Sequence, residues 1–156
     1  SAPPKSSADT TSPVAAFTDE WFHPVLDDRS VELDAASVRR VLVCSGKIAH
    51  ELMDERDKQS SPAAVLRVEQ LYPWPADELA TALGRYPAAS QVWWVQEEPA
   101  NMGAWNYTHG KLLRLMRDGA DLSHVARRES PSPASGSKTV HDREQQRLLT
   151  AALADL

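Results

Sequence analysis

The sequence predicts an α/β fold on a mainly parallel sheet. Two observations predict it: from Val38 onward short apolar runs alternate with segments of helical period, and polar loops bearing Gly or Pro separate them. That is the pattern of stacked strand-helix units. Ahead of Val38, residues 1–37 hold four of the 11 prolines, much Ser, Thr and Ala, and one apolar island, "FTDEWFHPVL". A polar segment with a single sticky patch reads as a linker or strap lying across a neighbour. The expected division is therefore a strap over 1–37 and a folded unit over 38–156.

Each element follows in order. The first strand is "VRRVLVC", and "SGK" turns it into a helix over Ile48–Asp57. In that helix Ile48, Leu52 and Met53 form a narrow apolar stripe, with Glu51, Asp54, Glu55 and Arg56 on the wet face. The second strand is "AAVLRVEQL". "YPWP" then breaks the chain, because neither proline can donate to a ladder, and "ADELATALGRY" is a helix that stops near Gly84. The third strand is "QVWWVQ". A helix over Tyr107–Arg117 follows, with Leu112, Leu113 and Met116 facing inward. "DLSHVARR" is the fourth strand and "ESPSPASGSK" a loop by composition. In the last helix "TVHD" supplies a Thr139 cap with an acid three residues on.

The totals bound the function. A chain of 156 residues is one domain's worth and buries roughly two thirds of its unfolded surface. A net charge of -5, from 17 basic and 22 acidic residues, argues against nucleic acid or an anionic membrane as the main partner. One Cys excludes an internal disulfide framework and a multi-cysteine zinc site, and points to a reducing compartment. No apolar run approaches about 18 residues, and the N-terminus lacks the basic-then-apolar order of exported proteins. A soluble, cytoplasmic domain is expected. Its start at Ser1 rather than Met reads as a processed product or an excised piece.

In a parallel sheet, loops leaving the carboxyl ends of strands gather on one edge, where ligands and partners bind. "SGK", "EQLYPWP", "QEEPANMGAW" and "RRESPSPASGSK" all leave strands that way. The candidate rim is thus Ser45, Gly46 and Lys47, then Glu69 and Gln70, then Glu97, Glu98, Asn101, Gly103 and Trp105. His141 joins them from the first turn of the last helix, bonded to a loop carbonyl. Glu97 and Glu98 point to opposite sides of a strand end. Either one meets a neighbouring surface, or one accepts backbone N–H bonds from the turn made by Pro99 and Gly103. They are not a glycosidase dyad, since nothing supplies a sugar groove.

Other chemistries find less support. Cys44-Ser45-Gly46 lacks the Gly-x-Ser-x-Gly of a nucleophile elbow, and Cys44 reads as a buried strand end. The histidines at 23, 50, 109, 124 and 141 contain no i, i+4 pair, so no metal site is expected. Arg127 and Arg128 with Ser135, Gly136, Ser137 and Lys138 form a candidate anion or effector site at a helix N-terminus. This is not a P-loop, and a solvated turn is the alternative. Trp74 in a Pro-bracketed loop and Trp105 after a Gly are expected as exposed aromatics beside a polar rim, the composition of an interface.

"VLVCSGKIAHEL", "VLRVEQLYPWP", "WWVQEEPANMGAW" and "SPASGSKTVHDREQQRLL" together resemble the C-terminal domain of thiamine-diphosphate-dependent 2-oxoglutarate dehydrogenase, including the multifunctional 2-oxoglutarate decarboxylase form. The likeness runs in order from Val38 to the C-terminus, and "FTDEWFHPVL" resembles the strap joining the pyrimidine-binding domain to this one. The resemblance implies a transketolase C-terminal-like three-layer sandwich with four to five strands. It also implies a tricarboxylic acid cycle oxidoreductase that decarboxylates 2-oxoglutarate on its cofactor and passes the succinyl group to a lipoyl-bearing succinyltransferase component. Thiamine diphosphate and magnesium are then held by the preceding domains, because the Gly-Asp-Gly-then-Asn motif is absent here, and this domain binds no cofactor alone. It supplies no catalytic residue, helps assemble the homodimer and the approach to the active site, and is inactive as a fragment. Pro4-Lys5-Ser6 running into Ser7-Ala8-Asp9 departs from the family's Leu-Leu-Arg and loses apolar and basic residues at the strap entry. Two other roles compete with this reading: a regulatory module binding an acyl-coenzyme A or another phosphorylated effector, and a free-standing interaction domain.

Overall fold

In the computed structural model the described residues are 22–30, 33–128 and 137–156. They form five strands, β1 (Val25–Leu26), β2 (Arg40–Cys44), β3 (Ala63–Val68), β4 (Gln91–Pro99) and β5 (Asp121–Arg127). The helices are α1 (Ile48–Gln59), α2 (Ala76–Gly84), α3 (Trp105–Leu113) and α4 (Lys138–Leu153), with one 3-10 turn at Ala35–Ser37. The sheet order is β1-β3-β2-β4-β5. β2, β3, β4 and β5 run parallel, and only β1 is antiparallel, pairing Val25 with Val68 and Leu26 with Arg67. The α/β class and the mainly parallel sheet are as the sequence predicts.

Three layers follow from the period of two along each strand. Val41 and Val43 of β2 join Ala64 and Leu66, Trp94, Leu79 of α2 and Leu112 of α3 in one buried cluster. Leu42 and Cys44 point the other way, to Val65, Val95, Leu52 of α1 and Leu148, Leu149 and Leu153 of α4. Both faces of the central strands are covered, which is why "RVLVC" is buried at all five positions and reads as a continuous apolar run. Each fully buried Val or Leu contributes about 1.5–3 kcal/mol to holding the layers together.

Several local expectations are corrected. Arg56, read as a wet-face residue of α1, is 3% exposed. Its guanidinium pairs with the buried Asp28 and donates to the Ala63 carbonyl at 3.1 Å. Burial disfavours that charge, but the hydrogen bonds and charges of Asp28 and Asp57 together outweigh it and raise the Arg56 pKa. Leu113 is 54% exposed: α3 ends there, and it is Leu115 and Met116, in the turn that follows, which pack on the core. The N-cap of α4 is Ser137, whose side chain accepts from the Val140 N–H at 3.2 Å, so Thr139 lies inside the helix. Trp74 and Trp105 are half-buried against the core rather than exposed, with Trp74 edge-on to Tyr107 at 6.2 Å between ring centres.

Candidate functional site

Because four strands run parallel, their carboxyl ends at Cys44, Val68, Pro99 and Arg127 share one rim. The chain leaves β2 for β3 on one side and returns to the other side of β2 for β4. α1 and α2 consequently cover opposite faces, and the order reverses beyond the ends of β2 and β4, the switch point at which open α/β sheets bind ligands. Ser45-Gly46-Lys47 and the stretch from Gln96 to Trp105 leave the adjacent strands β2 and β4 at that switch point. Gly46, at φ +84°, supplies the left-handed turn between β2 and α1.

The β4 stretch is shaped by a residue that sequence reasoning passed over. Val95 pairs with Val125 and Pro99 with Arg127, four steps along β4 against two along β5. The two extra residues make a bulge, a device that re-aims side chains at a sheet end. Gln96, 3% exposed, fills it. Its amide nitrogen donates to the carbonyls of Pro99 at 2.9 Å and Met102 at 2.7 Å, with a longer contact to Glu98 at 3.2 Å. Its amide oxygen accepts from the Trp94 indole at 2.9 Å and from the Trp105 N–H at 3.1 Å. Of the two alternatives for Glu97 and Glu98, the one in which a glutamate organises this turn falls to Gln96 instead: the side chain that must face carbonyls needs a donor, which a carboxylate lacks. Gly103, at φ +71°, lies so close that a Cβ there would meet Gln96 at 3.0 Å.

Glu97 and Glu98 do part, as the alternation of a strand end requires. Glu97 accepts from the Gln145 amide at 3.0 Å, and Glu51 of α1 accepts from the same nitrogen at 2.9 Å. Arg127 donates to the Gln145 oxygen at 2.9 Å, so one buried amide joins α1, β4, β5 and α4. Glu98 is exposed at the rim. Arg127 also lies 3.5 Å from Glu144 and 3.2 Å from the His141 ring, which makes Arg127, and not a loop carbonyl, the described partner of His141. Arg128 is exposed, as are Ser137 and Lys138, whereas Ser135 and Gly136 lie outside the described residues.

On the other side, Glu69 is paired with Arg67 at 2.9 Å, and Arg67 lies 3.3 Å from His50. Gln70 donates to the Pro73 carbonyl at 2.7 Å, and the Tyr107 hydroxyl donates to the Leu71 carbonyl at 2.8 Å. These bonds fix the "LYPWP" loop, from which Tyr72 stands out 85% exposed. Lys47, Asn101 and Gly103 are exposed, Ser45 and Trp105 half-buried. Trp105 stacks on His124 with ring centres 4.5 Å apart. Cys44 is fully buried, and burial pushes its thiol up to about 12, which suits a packed strand end and not a nucleophile. Among the described residues no group of three or more His, Cys, Asp or Glu could hold a metal ion.

The rim thus carries Ser45 to Lys47, Glu69, Gln70, Glu98, Asn101, Gly103 and Trp105, with Glu97 turned to Gln145 of α4 and His141, in α4, turned to Arg127 of β5. Sequence reasoning missed Gln96, Gln145 and Tyr72. The available signal for Gln96 was an amide ending the apolar run, with a Gly seven residues on.

The family model described as 2-oxoglutarate dehydrogenase C-terminal matches residues 11–153. A 2-oxoglutarate dehydrogenase E1 component of Geobacillus sp. (strain WCH70) is 39% identical over 144 residues, which cover 91% of this chain and 15% of that protein. The corresponding protein of Cupriavidus necator is 39% identical over 157 residues, covering 98% of this chain and 16% of its own length. That of Coxiella burnetii is 41% identical over 123 residues, covering 77% and 13%. The chain spans about 15% of the length of the curated relatives it matches. A match that runs from residue 11 to residue 153, through every described strand and helix, makes this chain a member of the 2-oxoglutarate dehydrogenase C-terminal family.

Proposed function

We propose that this chain works as the C-terminal domain of a thiamine-diphosphate-dependent 2-oxoglutarate dehydrogenase, and that its carboxyl-end rim docks against the preceding domains and the second subunit. One observation carries the reading: the relatives are 2-oxoglutarate dehydrogenase E1 components, and the chain matches only about 15% of their length. It is a domain's share of a longer catalyst. Thiamine diphosphate, when bound, supplies the electron sink that lets a 2-oxo acid lose carbon dioxide. We place it, with its magnesium, on the preceding domains; the absence of Gly-Asp-Gly followed by Asn from this sequence supports that placement.

The chain's own residues position and assemble. Gln96 sets the shape of the Glu98–Trp105 turn, and Lys47 and Glu98 present charge where a neighbour would lie. Succinyl transfer to a lipoyl-bearing succinyltransferase, homodimer assembly and a cytoplasmic place belong to the same proposal. No helix among the described residues is long and apolar enough to cross a membrane.

The test uses two polypeptides. With thiamine diphosphate, magnesium and 2-oxoglutarate, the 156-residue chain should release no carbon dioxide, while a polypeptide that also carries the preceding domains should release it. Turnover by the short chain alone would overturn this division of labour.

A further inference from the structure

We propose that Tyr72 is the aromatic anchor of the rim, seated in an apolar pocket on the part of the polypeptide that precedes this domain. The inference rests on the reading of the chain as one domain of a longer enzyme.

Three observations lead to it. Tyr72 is 85% exposed, the most exposed of the large apolar residues described, although Leu71 before it and Trp74 after it are packed against the core. A ring held out by a loop whose flanking Leu71 and Trp74 turn to the core is displayed, not left over. The loop is also fixed: Gln70 bonds the Pro73 carbonyl, Tyr107 bonds the Leu71 carbonyl, and Pro73 and Pro75 restrict the backbone. Little conformational freedom remains to be lost on docking, and tyrosine, an aromatic with a polar tip, is one of the side chains enriched at interface hot spots.

The third observation names the occupant. The Pro24 carbonyl accepts from Glu69 N–H at 2.8 Å and, more distantly, from Gln70 N–H at 3.4 Å. With β1 antiparallel to β3 and Val25 opposite Val68, His23 and Phe22, the described residues ahead of Pro24, continue past the end of β3 on the side of the Tyr72 loop. Phe22, 55% exposed, is on that path. Whatever precedes the domain is therefore tethered at the end of the sheet where Tyr72 stands, at a high effective concentration. A second copy or a separate protein has no such tether.

Hydroxyl-radical footprinting of the full polypeptide tests this directly. Tyr72 should be oxidised about tenfold or more slowly than in the same polypeptide unfolded in urea, as expected for a desolvated hot spot. The Tyr72→Phe variant should keep its ring protected. Equal rates in folded and unfolded protein would overturn the proposal, and so would protection that appears only as protein concentration rises, since that assigns the ring to a second copy. Loss of protection in Tyr72→Phe would overturn it too, by making the hydroxyl the anchor. Carbon dioxide release from 2-oxoglutarate is measured on the same sample. Turnover with an unprotected Tyr72 removes the anchor alone, whereas a protected Tyr72 without turnover removes the enzymatic reading and leaves the anchor standing.

Discussion

Asp28 and Arg56 form an ion pair with side chains 0% and 4% exposed, which fastens the segment between β1 and β2 to α1. The same Asp28 oxygen accepts from the Val65 N–H at 2.9 Å, so the carboxylate also reaches the adjacent strand β3. Asp28→Ala leaves a buried guanidinium without its counter-charge. The expected loss is about 3–5 kcal/mol, read by urea unfolding. Asp28→Leu combined with Arg56→Met should regain much of it, because two apolar side chains remove both charges together. A double variant no better than Asp28→Ala would show that the bonds to Val65 and Ala63 matter more than the charges.

Gln96→Leu should destabilise the domain by about 2–4 kcal/mol, since it leaves the Trp94 indole and the Met102 and Pro99 carbonyls short of a partner. Gln96→Glu keeps the shape and loses the donor when ionised. Its protonated form can donate, so its folded-state pKa is raised above the ordinary value. Stability of this variant relative to the parent is then best below about pH 4.3 and is lost as pH rises. Thermal melts across pH, followed by tryptophan fluorescence, check both variants.

Gly103→Ala combines two costs. A left-handed φ disfavours the Cβ by about 1 kcal/mol, and that Cβ would press on the Gln96 side chain at 3.0 Å. The loss should exceed that of Gly46→Ala, where the φ is also positive but nothing lies within 4 Å. Equal losses at the two positions would show that Gln96 yields freely.

Cys44 gives a pH dependence with a definite sign. Its ordinary value of 9.0 rises to about 12 in the fold. The unfolded thiol therefore ionises first, and stability attributable to Cys44 is full below pH 9 and falls toward pH 12, by about 1.4 kcal/mol per unit. Cys44→Ala should flatten that limb of the stability curve while costing some packing. In the parent, maleimide at pH 7 should react only at the rate of unfolding.

Where a regular period was present, the fold was legible. "VLVC", "AAVLRV" and "QVWWV" alternate between two apolar clusters, and each became a strand within a few residues of its expected ends. The misses have one cause in common. Arg56 looked solvated because its partner, Asp28, is far off in a polar segment whose pairing no local pattern reports. Gln96 looked like the end of a strand because a bulge has no period of its own. Leu113 fitted the helical stripe, but the helix stops there and the next turn rotates Leu115 inward instead. At the rim, the topology was readable and sets three of the expected loops at one end of the sheet, the fourth lying mostly outside the described residues; which side chains turn inward, as Glu97 does, depended on Gln145 in the last helix.

That last helix has a consequence for how the domain is made. α4 supplies Leu148, Leu149, Ala152 and Leu153 to the cluster against Leu42, Val65 and Val95, and it is synthesised after every strand it covers. While a ribosome is still making it, α1 alone shields that side of the completed sheet, and the part over Val65 and Val95 that α4 will cover lies open to other nascent chains. Chains cut short before Leu148 should therefore clump during translation instead of settling as a smaller soluble fold.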